Sequence, residues 1–169
     1  YQEFPPDASP IVLEKYRLIF FAIPKAGCSV FKQLFHRMEG FDNWRRTLRE
    51  LHRPSENGLT YLSDLSLEEA NEIMASPDWT RAVFVRDPVE RVVSAYLDKA
   101  VRQKPPLEKC CRKEKAGCLK KAGETLSGFL ALTRTCHNAH WQPQHQRMSN
   151  RQWQQINFVG HLETAAEDT

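Results

Sequence analysis

Three short stretches of the chain have the residue pattern of β-strands. Leu18 to Ile23 is a continuous apolar run, and Arg81 to Val85, which reads RAVFV, is a second short run. Continuous apolar runs are typical of strands buried on both faces, as in a parallel sheet. A last short strand is predicted over Asn157 to Leu162.

The first of these strands leads through a short bend into a segment with helical spacing. Its apolar residues recur at intervals of three and four, and together they form one stripe along a predicted helix. The stripe consists of Phe31, Leu34, Phe35 and Met38. Gly40 is expected to end this helix, because glycine commonly follows the last helical turn. His36 falls on the charged side of the helix and is expected at the surface.

The second strand is followed by RDPVERVVSAYLDKA, which carries the signals of a helix start. Asp87 can cap the helix, and Pro88 suits its first position. Glu90 stands where a capping box has its acid. The predicted buried stripe of this helix consists of Val89, Val92, Val93 and Tyr96.

The alternation of strands and helices predicts an α/β fold, a parallel sheet with helices on both faces. Further helices are predicted from the capping box SLEE at Ser66 to Glu69 and over Thr125 to Thr135. A chain of 169 residues is long enough for one domain with a core. We expect residues 1–16, which contain three prolines, to form an extended arm, and residues 17–169 to form a single domain.

Composition favours a folded chain, with 41% hydrophobic and 27% charged residues. The net charge of +3 suits an anionic ligand without requiring one. No apolar run approaches the roughly 20 residues that cross a bilayer. The chain begins at Tyr1, so we expect an excised or processed segment whose membrane anchor lies outside it.

A basic stretch runs over about residues 99–121 and is predicted to be an exposed insertion. It contains nine lysines and arginines against two acidic residues. No aromatic residue is interleaved between them, which argues against nucleic acid as a partner there.

The cysteines allow more than one interpretation. Cys28 lies in the bend and is expected to be a small packed residue. Cys110, Cys111, Cys118 and Cys136 can form two disulfides, which would indicate an oxidising compartment, or can remain free thiols. A zinc site that uses Cys110, Cys111 and Cys118 with His137 or His140 is a further alternative, disfavoured because two of the cysteines are adjacent and no C-x-x-C pair is present.

The bend, IPKAGCS, has the features of a phosphate-binding turn. The strand ends directly at the start of a helix, where the backbone N–H groups of Ala26 to Ser29 are expected to point outward. Lys25 adds a full positive charge, and Gly27 lets the main chain approach an oxyanion closely. The pattern differs from G-x-x-x-x-G-K-[ST], in which a hydroxyl after the lysine holds magnesium. A kinase or nucleotide triphosphatase is therefore disfavoured, and no metal site is predicted.

A second anion site is predicted at the end of the second strand. Arg86 stands at the carboxyl end of the strand, where α/β sheets bind their ligands. Ser94, two helical turns further on, provides a hydroxyl, and arginine with a hydroxyl makes a good clamp for a terminal phosphate. The alternative is that Arg86 pairs with Asp87 or Glu90, and that Ser94 has no role in binding.

Taken together, the two segments resemble the sulfotransferases that use 3′-phosphoadenosine 5′-phosphosulfate (PAPS), most closely the Golgi carbohydrate sulfotransferases of the chondroitin and dermatan type. The family motif P-K-x-x-C-[ST] is matched by Pro24, Lys25, Cys28 and Ser29. The motif R-[DE]-P-x-x-R-x-x-S-[AG]-[YF] is matched by Arg86, Asp87, Pro88, Arg91, Ser94, Ala95 and Tyr96. NAHWQPQ and FVGHLETAAEDT are weaker similarities, so the resemblance covers nearly all of residues 18–169.

The resemblance implies a role for each anion site and for the fold. It implies the P-loop-like sulfotransferase fold, with Lys25 and the backbone of residues 26–29 on the 5′-phosphate of PAPS. Arg86 and Ser94 would hold the 3′-phosphate. Lys25 would also stabilise charge on the bridging oxygen, and the product would be adenosine 3′,5′-bisphosphate (PAP). No metal is implied, because the transferred sulfonate carries a single negative charge.

An acceptor hydroxyl needs a base, and histidine titrates near neutral pH. His52, in RELHRPSENG, is the first candidate because related glycan sulfotransferases carry a base histidine at this place. His140 is the rival base, or it positions the acceptor beside Trp141, whose ring would stack on a sugar.

The resemblance implies a carbohydrate acceptor and the Golgi lumen or secretory pathway, with the cytoplasm as the alternative. The basic stretch is either a solvated loop or a surface that attracts an anionic glycan. A sulfotransferase for a small metabolite or for tyrosine, and a 3′-phosphonucleotide-binding module without turnover, are the other functions considered. Family domains usually continue beyond the ETAAEDT equivalent, so the domain is expected to be truncated at its C-terminus, a short divergent member, or completed elsewhere.

Overall fold

The computed structural model describes residues 9–112 and 117–168. Residues 1–8 of the predicted arm and residues 113–116 of the predicted insertion lie outside this range. The chain divides into two compact units, one of residues up to Val85 together with those from Ser149 onward, and one of Arg86–Met148. Each unit has a hydrophobic cluster of its own, and the single domain over residues 17–169 stays a prediction.

The first unit contains a five-stranded mixed sheet with the strand order β3-β1-β2-β4-β5. The strands are β1 (Ile11–Leu13), β2 (Leu18–Phe21), β3 (Thr60–Tyr61), β4 (Thr80–Val85) and β5 (Phe158–His161). Strands β2, β4 and β5 are parallel, in agreement with the three predicted strands, whereas β1 runs antiparallel to both β2 and β3. The expectation of a purely parallel sheet was therefore wrong for the edge formed by β1 and β3, while the α/β class is confirmed.

The antiparallel strand also corrects the predicted arm. Ile11–Leu13 is buried inside the sheet, so the arm cannot extend to residue 16. One 3-10 turn, Glu14–Tyr16, joins β1 to β2 and ends at Arg17 in the left-handed region, with φ 47°. So short a connection permits only an antiparallel pair.

The helices follow most of the predicted start signals. Ser66 and Glu69 form the predicted capping box, and the Asp87 carboxylate caps the helix that begins at Pro88. The helices are α1 (Cys28–Met38), α2 (Leu48–Leu51), α3 (Pro54–Asn57), α4 (Leu67–Ala75), α5 (Pro88–Ala95), α6 (Pro105–Cys111), α7 (Cys118–Glu124), α8 (Leu126–Thr133), α9 (Asn150–Gln155) and α10 (Ala165–Asp168).

The core of the first unit is a cluster of phenylalanine rings from α1 and the sheet. The ring of Phe20 lies 4.9 Å from that of Phe31 and 5.0 Å from that of Phe35, and Phe31 lies 4.4 Å from Phe84. Leu34 was predicted to belong to this apolar stripe but is 40% exposed. Burial of Phe31 and Phe35 fixes the rotation of α1 against the sheet.

The second unit is helical and has two disulfides, Cys110–Cys136 and Cys111–Cys118. The disulfide prediction is confirmed, and the sulfur atoms that a zinc site would have used are bonded in the disulfides. Cys28 carries a free thiol. The predicted exposed insertion is partly wrong, because Ala100, Leu107 and Cys110 are buried in the cluster of this unit. The helices α6 and α7 bury Leu107, Cys110 and Ala122 on one face and keep their lysines exposed at the surface.

The described part of the chain has no helix with the length and apolarity that a membrane crossing requires.

Candidate functional site

Two residues of the bend between β2 and α1 have the positive φ angles of a tight turn. Lys25 has φ 70° and Gly27 has φ 77°, so both adopt the left-handed conformation. This conformation is uncommon for a residue with a side chain and costs roughly 1–3 kcal/mol, which the surrounding structure must offset. Strain of this kind is concentrated at binding sites, which favours a functional reading of Lys25.

The backbone of the bend differs in one respect from the prediction. The N–H of Ala26 donates to the carbonyl of Ile23 at 3.2 Å, so it closes the turn instead of pointing outward. Gly27 is the N-cap of α1, and its carbonyl accepts from the N–H of Phe31 at 3.1 Å. The first N–H groups of a helix have no partner inside it, so the predicted anion site would begin after Ala26.

Gly27 has a second role, because the chain passes close to its neighbours there. An added Cβ atom would lie 2.8 Å from Leu162 Cδ1 and 3.2 Å from Phe31 Cε2. We expect Gly27→Ala to lower the free energy of unfolding by about 2–3 kcal/mol, from left-handed strain and overpacking together. Denaturant unfolding measures this loss.

Gly40 provides the matched control for that substitution. It has φ 79°, nearly the same as Gly27, but an added Cβ would meet nothing within 4 Å. Gly40→Ala should therefore cost about 1 kcal/mol, from strain alone. Equal losses at the two glycines would contradict a close approach at Gly27.

The predicted base lies beside the predicted phosphate-binding turn. His52 Nε2 is 2.9 Å from Ser29 Oγ, so the imidazole contacts the last residue of the P-K-x-x-C-[ST] motif. His52 directly follows α2, whose start is held by a reciprocal capping box between Thr47 and Glu50. A histidine and a hydroxyl from distant parts of the sequence are thus brought together at the N-terminus of α1.

Two buried residues of α1 were missed by the sequence analysis. Lys32 is 6% exposed and donates to the carbonyl of Leu51 at 3.3 Å. His36 is fully buried, and its Nε2 lies 2.7 Å from the carbonyl oxygen of Asn57. Burial lowers the pKa of His36, because the charged imidazolium would lose its hydration there. The expectation of a surface His36 was wrong, and the i, i+3, i+7 spacing of Ser29, Lys32 and His36 was the signal available.

In the second unit, Arg86 forms an ion pair with Glu90, as expected under the alternative to phosphate binding. Its guanidinium Nη2 is 3.1 Å from Glu90 Oε2, and the two side chains are 24% and 56% exposed. The backbone of Arg86 is held separately by Gln144, which accepts from its N–H at 3.0 Å and donates to its carbonyl at 2.7 Å. Ser94 lies half-buried on α5, near its end.

The segment that contains His140 is held by Arg91. The Arg91 guanidinium is buried and donates to the carbonyls of Gln142 and Ala139 at 2.7 and 2.8 Å. His140 Nδ1 lies 2.6 Å from Asn138 Oδ1. This ring contact orients the imidazole, as a positioned base would require, and His140 therefore stays a candidate.

Trp141 does not have the predicted exposed ring. It is 6% exposed, packs edge-on against Phe129 at 5.4 Å, and donates its indole N–H to the carbonyl of Cys136. A buried indole with a satisfied N–H is a core residue. The prediction that Trp141 stacks on a sugar was wrong.

The candidate residues are distributed over both units. Those of the bend, Pro24 to Ser29, belong to the first unit with His52, and Arg86, Ser94 and His140 belong to the second. The contact between Ser29 and His52 is thus formed within one unit.

Comparison with known proteins gives a family match over almost the whole chain. The model of the sulfotransferase family matches residues 10–169. Human carbohydrate sulfotransferase 9 is 32% identical over 92 residues, which cover 52% of this chain and 19% of that protein. Mouse carbohydrate sulfotransferase 14 is 33% identical over 90 residues, covering 53% and 23%, and carbohydrate sulfotransferase 10 of Xenopus laevis is 33% identical over 92 residues, covering 53% and 25%.

These alignments span about a fifth to a quarter of the relatives' own length. No solved structure matches the chain significantly. The family match contains both motif segments, the turn around Lys25 and the helix start after Arg86. This chain belongs to the sulfotransferase family.

Proposed function

We propose that the chain transfers a sulfonate group from PAPS to a hydroxyl of a carbohydrate acceptor. The observation that carries the proposal is the 2.9 Å contact between His52 Nε2 and Ser29 Oγ, because it joins a base to the donor motif. Family membership supports the chemistry, and the names of the relatives support a carbohydrate as acceptor.

The turn would hold the donor's 5′-phosphate through backbone and charge. Gly27 in the left-handed conformation leads directly into the 11-residue helix α1, whose N-terminus favours an anion. Lys25 would offset the charge that develops on the leaving phosphate oxygen. This arrangement is P-loop-like in its use of a glycine turn before a helix. Arg86 and Ser94 would hold the 3′-phosphate. The Arg86 guanidinium would then give up its ion pair with Glu90 and donate to the phosphate oxygens.

His52 would accept the proton of the acceptor hydroxyl as the new S–O bond forms. The S–O bond to the bridging oxygen breaks in the same transfer, and PAP leaves with that oxygen. Ser29 already presents a hydroxyl to the ring, so Nε2 faces a position suited to an O–H group. His140 is the rival base in this proposal.

The acceptor that we propose is an anionic glycan in the Golgi lumen. The net charge of +3 and the nine basic residues of the stretch 99–121 favour an anionic partner. Disulfides such as Cys110–Cys136 and Cys111–Cys118 are formed in oxidising compartments, which supports the secretory pathway.

Thermal denaturation with ligands tests the donor site. PAP at about 100 times its Kd is expected to stabilise the protein by about 2.7 kcal/mol, or roughly 5–10 °C in Tm. AMP, which lacks the 3′-phosphate, and ATP with magnesium should stabilise it far less. Equal shifts with all three ligands would contradict the proposal. Transfer from ³⁵S-labelled PAPS to a panel of uncharged and anionic glycans tests the acceptor, and absence of transfer to every glycan would leave a PAP-binding protein without turnover.

A further inference from the structure

We infer that Lys32 is a positioning residue that fixes the candidate base His52 through the carbonyl of Leu51. The inference rests on the proposed function, in which His52 takes the acceptor proton. It concerns a side chain outside the predicted anion sites, whose ammonium contacts the Leu51 carbonyl and the Tyr61 ring. Its basis is a polar stripe on α1 and the hydrogen bonds that this stripe makes.

The stripe consists of Ser29, Lys32 and His36, which share one face of α1 at i, i+3 and i+7. Each of the three contacts the segment from residue 51 to residue 57. Ser29 contacts His52, Lys32 donates to Leu51, and His36 contacts Asn57. One helix face thereby holds the whole segment on which the base lies.

The carbonyl of Leu51 is the central point of this attachment. It accepts from Lys32 Nζ at 3.3 Å and from Asn57 Nδ2 at 3.0 Å. The Leu51 side chain is fully buried, so the residue is fixed on its apolar side as well. His52 is the next residue, and its peptide bond to Leu51 includes this carbonyl. A shift of the carbonyl therefore moves the backbone from which the imidazole projects.

Asn57 is fixed by contacts of its own. Its other Nδ2 hydrogen is directed to Tyr61 Oη at 2.7 Å, and its Oδ1 accepts from the N–H of Leu59 at 2.9 Å. Lys32 Nζ lies 5.7 Å from the centre of the Tyr61 ring, a distance typical of a cation–π contact. The donors to the Leu51 carbonyl are thus held by buried neighbours, and they do not depend on solvent.

Burying the Lys32 ammonium at this place costs free energy, because the charge loses its hydration. Burying a charge against a carbonyl and a ring is less favourable than burying an apolar side chain of the same length. The described residues provide no carboxylate within 4 Å of Lys32 Nζ. What the ammonium supplies is a charged donor to one carbonyl, next to the candidate base.

The test uses Lys32→Met, which keeps the apolar stem and removes the donor. We expect kcat for sulfonate transfer to fall about 10–100-fold, as for a small displacement of a catalytic group, while KM for PAPS and stabilisation by PAP stay unchanged. Lys32→Arg, which retains a charged donor, should recover most of kcat. Arg37→Met removes a positive charge from an exposed position of the same helix and should leave kcat unchanged.

A double-mutant cycle separates positioning from a general structural role. In the His52→Ala background, Lys32→Met should change kcat less than about 2-fold, because residues that act as one unit are not additive. A full further loss in that background would overturn the inference. So would wild-type kcat in Lys32→Met itself. If Lys32→Met does not fold, Lys32→Leu, which also removes the donor and buries no charge, is measured by the same criteria.

An NMR measurement distinguishes failure of the inference from failure of the proposed function. The His52 ring resonances, assigned by their loss in His52→Ala, should shift in Lys32→Met and remain unchanged in Arg37→Met. Unchanged His52 resonances in Lys32→Met would overturn the positioning role. Absence of sulfonate transfer by the wild-type protein would contradict the proposed function, and the NMR result would then decide the positioning of His52 alone.

Discussion

His52→Ala is expected to lower kcat for sulfonate transfer by about 10²–10⁴-fold, the usual contribution of a general base. Donor binding should be retained, because the substitution leaves Lys25, Gly27 and the helix start intact. The variant should therefore still be stabilised by PAP in thermal denaturation. His52 is exposed, and its side chain contacts the Ser29 hydroxyl, which water can satisfy after truncation. Folding should thus be little affected.

His137→Ala serves as the matched control for this variant. His137 is also an exposed histidine, and its replacement should leave both kcat and the response to PAP unchanged. The rival base is tested with His140→Ala. If His52→Ala transfers sulfonate at the wild-type rate and His140→Ala does not, the base is His140, whose ring contacts Asn138.

Arg86→Ala has the second large expected effect, a loss of discrimination between PAP and AMP. Hydrogen bonds to a charged group contribute about 1.5–3 kcal/mol, so the affinity for PAP should fall roughly 10–150-fold. AMP binding should change little, because AMP has no 3′-phosphate. The two hydrogen bonds between the Gln144 side chain and the Arg86 backbone do not involve the lost side chain. Isothermal titration with both nucleotides measures the effect.

Glu90→Gln distinguishes a phosphate-binding arginine from one that only pairs with its neighbour. The Arg86–Glu90 ion pair is partly exposed, and such pairs contribute about 0–1 kcal/mol. Removing the Glu90 charge should leave PAP affinity unchanged or raise it up to about 5-fold, since the guanidinium no longer has to leave an acid. A loss in Glu90→Gln as large as that in Arg86→Ala would identify the pair as structural.

The sequence by itself determined the features that depend on neighbouring residues. Helix starts at Ser66 and Asp87 follow from side chains that reach the backbone two or three positions on. The strands β2 and β4 follow from short apolar runs, and the turn at Gly27 follows from a glycine between strand and helix. The two motifs that carry the resemblance to the family lie at the ends of these same strands, in the turn after β2 and in the helix start after β4.

Tertiary structure alone decided which distant segments meet. The burial of Lys32, His36 and Trp141 depends on partners 5 to 21 residues away, most of them backbone carbonyls that any residue type can provide. The three apolar residues of β1 have no distinctive local pattern. They form a strand because β2 and β3 provide hydrogen-bonding partners on both sides. The contact between His52 and Ser29 spans 23 residues and depends on how the segment after α1 folds back onto that helix. Hydrogen bonds to backbone carbonyls leave no signature in the residue types of the acceptor segment, so only the folded chain reveals them.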